Sequence, residues 1–374
     1  MPLKNLNLKT LLIISTLLFY TIFYFKFITD KNLTNYFIKS DFKVYYVAAQ
    51  LAREGKIKDI YNDTIFYSKT LQNLNLYERG SRYLRFINFP IIAYFFIPFT
   101  YLSITDSYRL YTFLVLGIMC FGLIKLQKIY GSDIGIILIS IPTPIFFGGM
   151  YYGQISPFIF LILILLLISL VKKNDKISGI LSGLLIIKPQ VLLLIPFVFI
   201  FSKKKKKYLF YTLITLLFYL AVNILIFGSK LFVQYFNYLL SHQIETHDGY
   251  LFNFFVFYKY IDIKIILFFT IISLAFAFYL INKKFKEGYD IKVLFPLIII
   301  FGLIFNIHTT YNDLLFLLIP LFYFYSLKNL KYKFFMLLLM ALVMIFSLTS
   351  FQFYSVSVLL LIAFLSLYHI KYLA

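Results

Sequence analysis

Apolar stretches about as long as a lipid bilayer is thick recur along the whole chain, and nothing else in the sequence limits its fold as strongly. A hydrocarbon core of ~30 Å takes ~20 apolar residues per crossing helix. Inside it the backbone amides must be satisfied within the protein, which leaves helices or closed barrels. Twelve stretches fit the helical pattern, at about 9–28, 87–103, 108–124, 134–149, 155–171, 177–201, 208–227, 263–282, 293–307, 313–327, 334–349 and 354–370. The sequence therefore predicts an all-α integral membrane protein, a polytopic bundle of about twelve spans in one membrane domain over 1–374. The first stretch lacks a small-residue cleavage site and runs too long for a signal h-region, so it reads as a retained helix.

Composition supports a membrane class. Hydrophobic residues make up 61% of the 374 and charged ones 14%, which excludes an ordinary soluble domain. The 36 Lys and Arg against 15 Asp and Glu give a formal net charge of +21, which by itself would suit a nucleic-acid binder. The basic residues stand in clusters between apolar runs, however, as membrane-loop charge does, and no nucleic-acid partner is expected. There is no Trp, so the interfacial aromatic role falls to the 33 Tyr. A single Cys120 inside an apolar run excludes an intrachain disulfide and a cysteine-based zinc site.

Lys and Arg in short loops set the orientation. With the N-terminus in the cytoplasm, sixteen fall in inner loops, Lys203 to Lys207 among them, and seven in short outer ones. The exceptions are Lys125 with Lys128 and Lys172 with Lys173 and Lys176, outer clusters that would prefer the inside if the fourth to sixth spans include a half-helix or re-entrant hairpin. The longest loop, about 29–86, falls outside. Val44, Val47, Ala48 and Leu51 recur in it at helical spacing, which predicts interfacial helices along the membrane face. A second sizeable outer loop covers 228–262.

Ionisable groups at membrane depth cost several kcal/mol unless paired or hydrated, so the few present mark candidate sites. Asp41 precedes the first-loop helix; it reads as a helix N-cap, as a carboxylate that takes a proton from an acceptor hydroxyl, or as both. Lys188-Pro189-Gln190 interrupts the run 177–201. It reads as a kink with a snorkelling lysine or as a cation waiting for a lipid phosphate. Gly153-Gln154 reads as a turn. The polar cluster from Asn306 to Asp313 holds His308, a second candidate for catalysis.

Several chemistries find no support: there is no Walker A or dinucleotide glycine pattern, no zinc helix of the His-Glu-x-x-His type and no nucleophile elbow. Asp-x-Asp is also missing, since Ile and Lys follow Asp262, which argues against a metal-bound nucleotide sugar.

The segment from Asp41 through Tyr45-Tyr46, Ala48-Ala49 and Gly55 to Ile60-Tyr61 resembles the first-loop pattern of glycosyltransferase family 87. Asn88-Phe89-Pro90 with Pro98-Phe99 is similar to its aromatic-Pro-Pro opening and later proline, although Ile91 takes the place of the second proline. Gly153-Gln154 matches the family's Gly-Gln step, and Ser178-Gly179, Gly183 and Lys188-Pro189-Gln190 follow in the family's order, so the resemblance covers roughly residues 8–320. It implies a GT-C enzyme that transfers a hexose, usually mannose, from a polyprenyl-phosphate carrier with inversion on the extracytoplasmic side of the cytoplasmic membrane. Carried over, the general base is Asp41, with His308 as a second catalytic candidate. Tyr45, Tyr46, Arg82, Arg85, Lys188 and Gln190 are the substrate-binding candidates. The partners implied are the lipid-linked sugar, a glycolipid or glycan acceptor and membrane lipids. No cofactor and no metal ligand are expected.

Two other classes fit the span count. A transporter or flippase for a lipid-linked sugar would use the broken helix, but no twofold repeat is visible. A glycan polymerase or ligase would carry its large outer loop late in the chain, and here it comes first.

Overall fold

The computed structural model describes residue 18 and residues 41–74, 84–242, 262–306, 309–347 and 352–369. The run 9–28 apart from Leu18, Arg82, His308 and residues 243–261 of the loop 228–262 lie outside these. Every element among the described residues is helical. They fall into two compact units, one of 41–118, 149–155 and 220–242, the other of 119–148, 156–219 and the described residues from 262 onward.

In the first unit, α1 (Phe42–Arg53) and α2 (Asp63–Leu74) come from the first loop. The helix read from Val44, Val47, Ala48 and Leu51 is present, yet it does not lie on a surface: Phe42 through Ala52 are all buried. It packs against α3 (Pro90–Phe96), the 3-10 turn Ile97–Tyr101 that follows, and α2. Gly55, with φ of +73°, ends α1 in the left-handed conformation that an L side chain resists, and Lys56 N donates back to Leu51 O at 2.8 Å. Proline at the first position of α3 needs no partner for its nitrogen, and the next amide, Ile91 N, donates to Asn223 Oδ1 at 3.3 Å.

α4 (Ile104–Tyr130), with 27 residues, is long and apolar enough to cross a membrane. Two short helices follow, α5 (Gly135–Ser140) and α6 (Pro144–Tyr151). α6 and α7 (Ser156–Val171) together reach spanning length but are bent by 118° at Gly153 and its neighbours.

The expected span 177–201 is absent as a crossing. In its place, α8 (Asp175–Leu184) rises through a 3-10 turn to Lys188, and Pro189–Leu194 and α9 (Ile195–Phe201) come back. The ends meet, because buried Asp175 accepts hydrogen bonds from Ser202 Oγ at 2.8 Å, Lys203 N at 3.0 Å and Lys204 N at 2.9 Å. A segment whose ends are joined enters and leaves on the same side. Each arm is roughly 20 Å long, short of the ~30 Å core, so the segment is a re-entrant hairpin with Lys188 at its tip. Lys188 interrupts the ladder because the residue before a proline is driven out of helical conformation; its φ and ψ are −128° and 86°.

α10 (Lys205–Phe227) flanks the hairpin. Gly179 and Gly183 let the α8 backbone approach it, since a Cβ on Gly183 would stand 2.9 Å from Thr212 O. In the first unit α11 (Ser229–His242) follows, and in the second come α12 (Ile263–Lys286), α13 (Ile291–Phe305), α14 (Leu318–Tyr325), α15 (Leu330–Ser347) and α16 (Gln352–His369). α13 is buried from Leu294 to Phe305 and forms the core of its unit, in contact with α7, α12, α14 and α16. Among the described residues three helices, α4, α10 and α12, are long and apolar enough to cross a membrane, or four if the bent pair is one span, so the twelve expected crossings are not confirmed; Ile291–Phe305 and Tyr311–Tyr325 are apolar but shorter.

Candidate active site

Asp41 stands at the N-cap of α1, where a carboxylate ordinarily accepts from the second or third amide of the helix. Its side chain makes no such bond. Instead its Oδ2 accepts from Gln154 Nε2 at 2.9 Å. Three features bring these residues together. Gly153 has φ of +69°, and a Cβ there would lie 2.8 Å from the Phe42 Cα and N, so only glycine allows the 152–154 turn to touch the start of α1. Tyr111 OH donates to Gln154 O at 2.5 Å and Tyr108 OH to Tyr151 O, which tie the turn to α4. The Phe42 ring, fully buried, sits among Tyr108 and Tyr111 with centroids 5.1 and 5.3 Å away, and near Phe96 and Phe99. The carboxylate therefore projects from a rigid aromatic base.

Gly153→Ala is expected to cost about 1–3 kcal/mol, because the residue is strained and meets the Phe42 backbone. Thermal unfolding of the purified protein checks this. An unchanged midpoint would mean that the turn relaxes without the contact.

A simple count of spans would put Gln154 on the side opposite Asp41 unless the helices before it are short or re-entrant, and the 2.9 Å hydrogen bond brings the two together. Parity assigns sides only if every apolar run crosses, and the run 134–149 before Gln154 is two short helices, α5 and α6, rather than one span. The signal in the sequence was the Gly153-Gln154 step, which read as a turn and matched the family's Gly-Gln step.

Tyr45 and Tyr46, expected at the substrate, belong to the packing of α1. Tyr45 stacks on Phe96 at 4.8 Å, Tyr46 OH donates to Leu102 O at 2.9 Å, and burial pushes the Tyr46 phenol up from its ordinary value. Arg85 Nε pairs with Asp63 Oδ2 at 3.1 Å, and Tyr238 OH donates to Asp63 Oδ1, which ties α2 to α11. Phe89 and Tyr235 rings, 4.4 Å apart, extend that contact.

In the second unit, the tip of the hairpin holds a buried charge pair. Lys188 Nζ donates to Asp313 Oδ1 and to Ser156 Oγ, the latter at 2.8 Å, and Ser156 Oγ donates to the same carboxylate oxygen at 3.2 Å. Lys188 and Asp313 are 6% and 2% exposed, so water does not screen them. Asp313 Oδ2 accepts from Thr310 N at 3.2 Å and from Thr310 Oγ1, in a capping box that starts the 3-10 segment Tyr311–Leu317. Asn306 Nδ2 donates to Gln190 O at 3.0 Å, and Tyr311 OH to Pro144 O at 2.7 Å. Lys188 is thus neither snorkelling nor an open cation. The polar cluster 306–313 reaches it through Asn306 and Asp313. Asp313 went unassigned in the sequence, although a lysine inside an apolar run calls for a carboxylate. Among the described residues no three His, Cys, Asp or Glu side chains gather as a metal site would require.

A sequence model of glycosyltransferase family 87 matches residues 86–277, just over half of the chain. The chain belongs to glycosyltransferase family 87. No curated protein matches it. The family match takes in the Gly153-Gln154 turn and Lys188-Pro189-Gln190; Asp41, Tyr45, Tyr46, Arg82, Arg85, His308 and Asp313 stand outside it. Family membership together with the long apolar helices makes this a membrane glycosyltransferase. The transporter reading and the polymerase or ligase reading give way to it.

Proposed function

We propose that this family 87 enzyme transfers a hexose, with mannose the first candidate, from a polyprenyl-phosphate sugar to an acceptor hydroxyl at the extracytoplasmic face, with inversion and with Asp41 as general base. The observation that carries the proposal is the Asp41 carboxylate: it stands at a helix start without capping the helix, and Gln154 fixes its direction.

In this reading the acceptor oxygen attacks the anomeric carbon while Asp41 removes its proton. The bond to the phosphate oxygen breaks, and its electron pair leaves with the polyprenyl phosphate. That group is already a good leaving group, so the protein's share is orientation and deprotonation. Arg82 and Arg85 remain the proposed cations for the departing phosphate. Lys188 enters with its charge already matched by Asp313, and so serves to hold the hairpin. His308 stays a second proposed catalytic residue.

The test is to incubate purified enzyme with polyprenyl-phosphate-mannose and a lipid extract and to follow mannose incorporation. Transfer from a nucleotide sugar, with none from the lipid-linked donor, would overturn the proposal. Gln154→Ala is expected to lower kcat by about tenfold or more, since misdirected reacting groups cost up to ~100-fold, with KM for the donor little changed. Unaltered kcat would leave Gln154 without a positioning role.

A further inference from the structure

The hairpin brings together two lysine clusters that a span between them would have separated. Lys172, Lys173 and Lys176 surround the turn from α7 into α8, and Lys203 to Lys207 run from α9 into α10; all eight are exposed. Asp175, the acidic residue of these two turns, is buried and accepts from Ser202 Oγ and the amides of Lys203 and Lys204, so it joins the clusters without offsetting them at the surface.

The neighbouring surface sets the depth of this face. From Leu209 onward α10 exposes Leu209, Phe210, Leu213, Ile214, Leu217 and Phe218, as a helix in contact with acyl chains does. Lys205 Nζ lies 5.3 Å from the Phe199 ring centroid and Lys176 Nζ 5.4 Å from that of Tyr211, so these ammonium groups sit against aromatic faces while both residues stay exposed. The change from ammonium groups to acyl-contacting side chains takes about one helical turn, ~5 Å. Eight cations are therefore held at the level where phospholipid phosphates lie.

We infer that Lys172, Lys173, Lys176 and Lys203 to Lys207 form one binding surface for anionic phospholipid headgroups. The positive-inside rule puts this surface on the cytoplasmic leaflet. It is independent of the proposed sugar transfer.

The full-length protein is reconstituted in phosphatidylcholine bilayers with trace phosphatidylglycerol or phosphatidylcholine spin-labelled on the acyl chain, and the motionally restricted fraction of each is read by electron paramagnetic resonance. Phosphatidylglycerol is expected to be selected several-fold over phosphatidylcholine at low salt. Most of that preference should vanish near 1 M NaCl, where the screening length falls to ~3 Å. Replacing Lys203 to Lys207 together by Gln should reduce it toward unity, and replacing them by Arg should keep it. Equal restriction of the two lipids by the unaltered protein, or undiminished preference in the Gln variant, would overturn the inference. If that variant fails to insert, the salt series on the unaltered protein decides. The shared side is read separately, with Lys173→Cys and Lys206→Cys each made in a Cys120→Ala background. An impermeant maleimide is expected to reach both from the same side of the membrane, and labelling from opposite sides would also overturn the inference.

Discussion

Asp41→Asn is expected to abolish sugar transfer while leaving the fold unchanged. Asparagine has the shape of aspartate and still offers an oxygen to Gln154 Nε2, but it cannot take up the acceptor's proton. A positioned general base contributes typically 10²–10⁴-fold, so residual activity should be at most about one per cent. The absence of a capping bond from Asp41 makes this test clean. Asparagine is also as good a helix N-cap as aspartate, so the thermal midpoint should change little. Activity above a few per cent of the unaltered enzyme, in a variant that unfolds at the same temperature, would remove Asp41 from the base role.

The second large effect concerns stability. Removing one partner of a buried ion pair leaves the other charge without compensation, at a cost of about 3–5 kcal/mol. Lys188→Met and Asp313→Leu should each lower stability by that order in detergent unfolding. The double variant should recover much of the loss, because an apolar pair of similar volume needs no mutual charge. Recovery should remain incomplete, since Asp313→Leu also removes the acceptor for Thr310 N and Ser156 Oγ. If the double variant is as unstable as the two losses added together, capping rather than charge explains the site.

Asp41 and Lys188 were visible in the sequence because ionisable groups are rare beside apolar runs. Asp41 before a helical pattern and Lys188 before a proline both stood out. The long helices were legible for the same reason, since α4, α10 and α12 carry uninterrupted apolar length. Partners were harder to read. Asp313 is 125 positions from Lys188 and Gln154 is 113 from Asp41, distances over which hydropathy carries no pairing information. Direction was hardest, because a hydropathy window records length and not whether the chain turns back. The run 177–201 looked like a span while the lysines flanking both its ends, on what would have been opposite sides, pointed to the fold-back. Tyr45 and Tyr46 show the same difficulty, because aromatic residues serve packing and ligand contact alike and both rings are buried here.

The Lys188–Asp313 pair also sets an order of events during synthesis. A ribosome adding about 5–20 residues per second reaches Asp313 roughly 6 to 25 seconds after Lys188. Through that interval the carboxylate that pairs with the lysine has not yet been made, and an unpaired ammonium has no stable place in hydrocarbon. The hairpin therefore cannot lock its tip at final depth until the later helices have been made, so the last step in setting this part of the enzyme belongs to the second half of the chain.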